Sequence, residues 1–196
     1  MTTTITYTPA VEDRTSSLPL RLMLAPVGAA PALLDGAWWP RSRDLTAELP
    51  TLTAVLDALW GRITHVTVNP TFWPVIPRKV PVDGHVVRVG WFKTEQDPHK
   101  LLLLSYTVGR WDLLVIPPET SPAVAARLMT EAADPLGTPT ASALMDQAEQ
   151  RRIAEEMERS LVSVWDHEGG LGASLPTSRS PVQAVIAQEP DAMKGI

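Results

Sequence analysis

Between residues 63 and 116 the chain is cut into short apolar runs separated by turn chemistry, and this pattern limits the fold more than any other feature. ITHVTV (63–68) alternates and is rich in β-branched residues, which suit a pleated, half-buried surface. KVPV and HVVRVGWF (79–82 and 85–92) flank Asp83-Gly84, a pair able to take the positive φ of a two-residue hairpin turn. LLLLSY (101–106) and RWDLLVI (110–116) flank Thr107-Val108-Gly109, and PPET then stops the run. Consecutive strands joined by short turns predict an antiparallel meander.

Helical signals lie on either side. In LPTLTAVLDALWG (49–61), Leu52, Val55, Leu56 and Leu59 recur at the spacing of one helix face. Pro50 is tolerable in a first turn, Asp44 suits the cap of a short preceding turn, and Gly61 suits the C-terminal cap. SPAVAARLMTEAA (121–133) opens with a serine cap and a proline at the first helical position. Upstream, LPLRLMLAP (18–26) reads as a first strand with Leu20, Leu22 or Met23, and Leu24 toward a core. The expected fold class is α+β, an antiparallel sheet of about five to six strands with packed helices. A C-terminal helix and a disordered tail follow it.

The expected domains are a disordered N-terminus (1–16), an α+β core (17–135), and an acidic helix with a disordered tail (136–196). The helix is SALMDQAEQRRIAEEMERSLVSVW (142–165), with a narrow stripe of Met145, Ile153, Met157, Leu161 and Val164 that suits docking on a surface. The Gly-, Pro- and Ser-rich end predicts disorder. No internal repeat is visible.

Several motifs in order, LDGAWWPRSRDL, VTVNPTFWPVIPR, VRVGWF, QDPHKLLLLSY and GRWDLLVIPPET, resemble an uncharacterised actinobacterial family, a domain of unknown function. The resemblance covers residues 20–133 and leaves out the tail. It implies a bacterial, cytoplasmic setting and no particular chemistry.

Residue types narrow the chemistry. There is no cysteine, so no disulfide framework and no thiolate metal site is expected. The N-terminus lacks the basic and apolar regions of a secretory signal, and residues 18–34 are interrupted by Arg21 and by prolines, Pro26 and Pro31 among them. No membrane span and a cytoplasmic location are therefore expected. The histidines, His65, His85, His99 and His167, show no metal-ligand spacing, although His65 and His85 could meet across strands. No metal and no cofactor is expected. No nucleophile elbow and no phosphate-binding glycine loop is present. Asp112 lies in an apolar strand, and alternation places it outside beside Arg110.

Charge is uneven. The net charge is −5, yet residues 62–110 hold seven basic residues against three acidic ones, while 136–196 hold five against nine. Six of the seven tryptophans fall in 38–111. Trp73 lies near Arg78 and Lys79, Trp91 near Arg88 and Lys93, and Trp111 beside Arg110. Rings interleaved with cations suit single-stranded nucleic acid, but Trp91 and Trp111 are in phase with apolar neighbours and read as core.

The densest cluster is AWWPRSRD (37–44). On extended backbone Trp38 and Trp39 point to opposite faces, one as an anchor and one on the surface. Arg41 and Arg43 then share a face able to grip a carboxylate or phosphate, beside Asp44. The plainer alternative pairs Arg43 with Asp35 or Asp44. The candidate ligand or partner surface is Trp38, Trp39, Arg41, Arg43, Asp44, Trp73, Arg78 and Lys79. The leading expectation is a non-enzymatic interaction or regulatory module with a protein partner. Alternatives are a small enzyme or ligand binder acting on an anionic small molecule, and single-stranded nucleic-acid binding by the basic, Trp-containing middle.

Overall fold

The computed structural model of the chain describes residues 19–26, 28, 32–106 and 109–168. The disorder expected over 1–16 and beyond the helix, and most of the turn at Thr107-Val108-Gly109, lie outside the described residues. Seven strands and three helices follow one another: β1 (Leu22–Leu24), β2 (Gly36–Trp38), α1 (Leu45–Trp60), β3 (Ile63–Val68), β4 (Lys79–Val82), β5 (His85–Trp91), β6 (Lys100–Ser105), β7 (Arg110–Val115), α2 (Pro122–Ala132) and α3 (Ala141–Glu168). The class is α+β. Two compact units divide the chain, residues 1–154 and 155–196.

The strands form one sheet in the order β1-β2-β7-β6-β3-β5-β4. It is mixed rather than antiparallel, because β2 runs parallel to β7 and β3 parallel to β5. It also has more strands than expected. Loop length explains the first difference. Only two links of the expected meander are short: Asp83-Gly84 closes the β4–β5 hairpin, with Val82 opposite His85, and the other joins β6 to β7. The loops 69–78 and 92–99 are long enough to carry the chain past a neighbouring strand. The hairpin therefore lands with β5, not β4, against β3, and β6 takes the other side of β3. The additional strand is β2, three residues inside the tryptophan motif.

Side-chain alternation sorts the sheet's two faces. Val66, Val68, Val87, Val89, Leu101, Leu103, Leu113 and Val115 point to one face and pack under α1. Leu20, Leu22 and Leu24 pack against the same core, whereas Met23 is exposed. Asp44 caps α1 itself, accepting from the Thr46 N–H at 2.9 Å, so the helix begins four residues before the apolar spacing alone indicates. Pro50 therefore sits in the second turn, where its missing N–H leaves the Thr46 carbonyl without a helical partner. The earlier start also moves the buried stripe to Leu45, Leu49, Leu52 and Leu56, and Val55 and Leu59 face outward.

Among the described residues the opposite face is covered only in part. Ala37 of β2, Leu114 of β7 and Ile116 meet Ala125, Leu128 and Ala132 of α2 and Ala141, Leu144 and Ala148 of α3. The first turns of α3 are thus built into the core, and burial continues past residue 135 to Ala148. Asp97 fastens this helix start by accepting from the Ser142 backbone N–H (2.9 Å) and hydroxyl (2.7 Å). Arg151 ties α3 to Glu131 of α2. Further along the helix, Ile153, Met157 and Leu161 are exposed. The Val164 side chain lies outside the described residues.

Candidate functional site

The tryptophan–arginine cluster is assembled, and most of its groups are engaged within the domain. Trp38 is fully buried and stacks on Trp73, with ring centroids 5.8 Å apart at 21°. Trp39 points the other way and donates its indole N–H to the Pro117 carbonyl at 3.1 Å. Arg21 covers the Trp39 ring at 3.6 Å and donates to the carbonyls of Trp39 and Pro40. Burial, with the positive charge of Arg41 second, holds the Arg21 pKa below its ordinary value. Arg43 packs over the Phe72 ring at 4.3 Å, donates to the Phe72 carbonyl, and pairs with Glu119 at 2.6 Å. Its acidic partner is therefore neither Asp35 nor Asp44. Hydrogen bonding to its own backbone N–H, then to Arg43, lowers the Glu119 pKa. Arg41 is exposed and reaches the Pro19 carbonyl at 3.0 Å.

Trp73 belongs to this cluster, whereas Arg78 and Lys79 do not share its edge of the sheet. Lys79 begins β4, at the edge opposite β1 and β2. His99 also approaches Phe72, edge-on at 5.9 Å. Its buried Nδ1 has no hydrogen-bond partner among the described residues. Burial lowers its pKa, against the raising effect of Asp97 and Asp146. Asp35 carries a raised pKa, chiefly from burial, and its carboxylate accepts the Asp112 N–H at 2.7 Å. Asp112 itself points to the second face, between Arg110 (3.0 Å) and Lys100 (3.8 Å).

His65 and His85 lie on opposite faces of the sheet. His85 reaches the Ile63 carbonyl at 2.8 Å and lies 3.7 Å from Asp57 of α1. His65 is exposed on the other face. Among the described residues no group of three or more His, Asp or Glu side chains could hold a metal ion. Trp111 stacks on Trp60 at 4.1 Å and 8°, against the core beneath α1. Trp91, expected in the core, ends β5 and is 46% exposed, because at a strand end no further layer covers it.

The feature that sequence reading missed is on the uncovered half of the second face. The second core reaches only β2 and β7 of the sheet. Beyond them, the register sets Lys79 opposite Arg88, Arg88 opposite His65, His65 opposite Leu104, and Leu104 opposite Arg110. Opposed residues share a face, so these five form one line across five strands. All five are exposed. At about 4.8 Å per strand the line runs roughly 19 Å. Arg110 is paired with Asp112, whereas Lys79 and Arg88 make no ion pair with any described residue. Next to the line lies a row of Gly90, Thr67, Leu102 and Asp112, in which the first two are small. A Cβ added at Gly90 would meet only the Thr67 hydroxyl, at 3.8 Å. The signal for this line was present as the basic excess over 62–110, but its alignment depends on register.

Fold and surface together define an α+β domain with helices on both faces of a mixed sheet and a cationic line on the half left open. A family model described as a family of unknown function, DUF5994, matches residues 21–132, which run from the start of the sheet to the end of α2. The chain belongs to that family. No curated protein and no solved structure matches it. Among the described residues no helix is long and apolar enough to cross a membrane.

Proposed function

We propose that this domain is a non-enzymatic binding module of the bacterial cytoplasm, and that the open half of its sheet receives an anionic partner. One observation carries the reading: two cations without an ion pair among the described residues, Lys79 and Arg88, directly face each other within the cationic line. Like charges placed opposite each other destabilise a sheet. Edge protection accounts for Lys79 and Pro81, since lysine and proline discourage pairing along an exposed strand. It does not account for Arg88, which sits on the inner strand β5. An anion lying along the line would relieve the repulsion.

The 38–44 segment supports the reading less well, because Trp38, Trp39, Arg43 and Asp44 already serve the fold. Arg41, exposed and held among the described residues only by the Pro19 carbonyl, provides the control. The full chain is tested for retention on immobilised heparin and for binding of polyglutamate. Binding that is lost in the K79E/R88E double variant and kept in R41E supports the open sheet. The reverse result moves the site to the 38–44 segment.

A further inference from the structure

We infer that the partner of the open sheet half is single-stranded nucleic acid. The inference rests on the reading above and adds three observations to it. First, the line carries its cations on three of the five strands it crosses, Lys79 on β4, Arg88 on β5 and Arg110 on β7, rather than in one compact pocket, which suits a polyanion whose charges repeat along its length. Second, exposed rings stand at both ends of this face. Tyr106 follows Leu104 in phase beyond β6 and is 82% exposed. Phe92 follows Arg88 and Gly90 in phase beyond β5, prolonging the ladder through its N–H to the Val68 carbonyl, and is 54% exposed. Neither ring stacks on another ring among the described residues. An acidic protein surface would need the cations alone, whereas unstacked bases use both cations and ring faces. Third, the residues beside the line between Phe92 and the charges, Gly90 and Thr67, are small, and a Cβ added at Gly90 would meet only the Thr67 hydroxyl.

A sheet face that carries no helix among the described residues also favours a single strand over a duplex, whose major groove admits a helix or a narrow ribbon. The acidity of the chain as a whole does not oppose the local field. Most of the net charge of −5 lies in residues 136–196. It does predict moderate affinity and strong dependence on salt.

The test uses the full chain and a fluorescein-labelled single strand of about twelve nucleotides, within the range of single-domain sites, in DNA and RNA forms. Anisotropy is followed from about 50 to about 200 mM salt. Two contributing cations, Lys79 and Arg88, predict a roughly sevenfold loss of affinity over this range. R88Q should flatten the salt slope by roughly one cation's share. Y106A and F92A should each weaken binding by at least about fivefold while leaving the slope unchanged. Thermal midpoints confirm that each variant is folded, and Y106S provides a second change at the most exposed ring. Ring variants that bind like wild type, or a duplex that binds as tightly as the single strand, overturn the inference. If the single strand does not bind but polyglutamate does, and R88E abolishes that binding, the inference falls and the anionic-partner reading stands. If neither polymer binds at the lowest salt, both fall.

Discussion

Trp38 offers a sharp test of how the core is built. It is fully buried, stacks on Trp73, and is flanked in the sheet by Leu22 of β1 and Val115 of β7. Truncation to alanine opens a cavity costing about 3–5 kcal/mol, and the lost ring pair adds about 1 kcal/mol. Domains of this kind have only about 5–15 kcal/mol in hand. At about 2–4 °C per kcal/mol for a chain of this length, W38A should melt roughly 10–20 °C below wild type. W38F tests a different contribution. The indole Nε1 is buried with no hydrogen-bond partner among the described residues. Phenylalanine loses about 1–2 kcal/mol of apolar burial but removes an unsatisfied donor that costs about 1–3 kcal/mol. The two effects offset each other, so W38F should lie within about 1 kcal/mol of wild type. Urea unfolding with a check that the m-value is unchanged measures both variants. A W38F loss equal to that of W38A would refute the unsatisfied-donor argument, and a W38A loss below about 1 kcal/mol would refute the role of Trp38 as anchor.

Gly36 has φ +146°, and a Cβ there would lie 2.2 Å from the Met23 carbonyl oxygen, so G36A should cost about 3 kcal/mol or more and separate β1 from β2; a thermal melt close to wild type would contradict this. D44A should lose about 1 kcal/mol through the α1 cap while D44N stays within a few tenths, as read by urea midpoints. His99 gives a pH dependence. Because burial depresses its folded-state pKa, its stabilising effect is complete above the unfolded value of about 6.5 and is lost as pH falls from there toward the folded value. The melting temperature should therefore drop between about pH 7.5 and about pH 5.5, and H99F should flatten part of that drop; parallel curves for the two proteins would show that His99 is not responsible.

Local chemistry made much of the fold legible. Period-two alternation identified five of the strands from β3 to β7 and their buried faces, Asp83-Gly84 marked the β4–β5 hairpin, and Ser121-Pro122 marked the start of α2. Alternation also placed Asp112 outward and set Trp38 and Trp39 on opposite faces. What it could not supply was neighbourhood. Three residues are too few to show a period, so β2 could not be read, and the true start of α1 depended on whether Asp44 capped it or a separate turn.

Strand order belonged to the tertiary structure for a physical reason. Closing a ten-residue loop costs only slightly more entropy than closing a short one. Burying the strands' apolar faces under α1, rather than the loops themselves, therefore decides which strands pair. The cationic line shows the same division. Lys79, Arg88, His65, Leu104 and Arg110 were all visible as residues, and the basic excess around them was countable. They became a surface only when register laid five separate strands side by side, because alternation assigns a side chain to a face while hydrogen-bonded pairing decides what stands next to it.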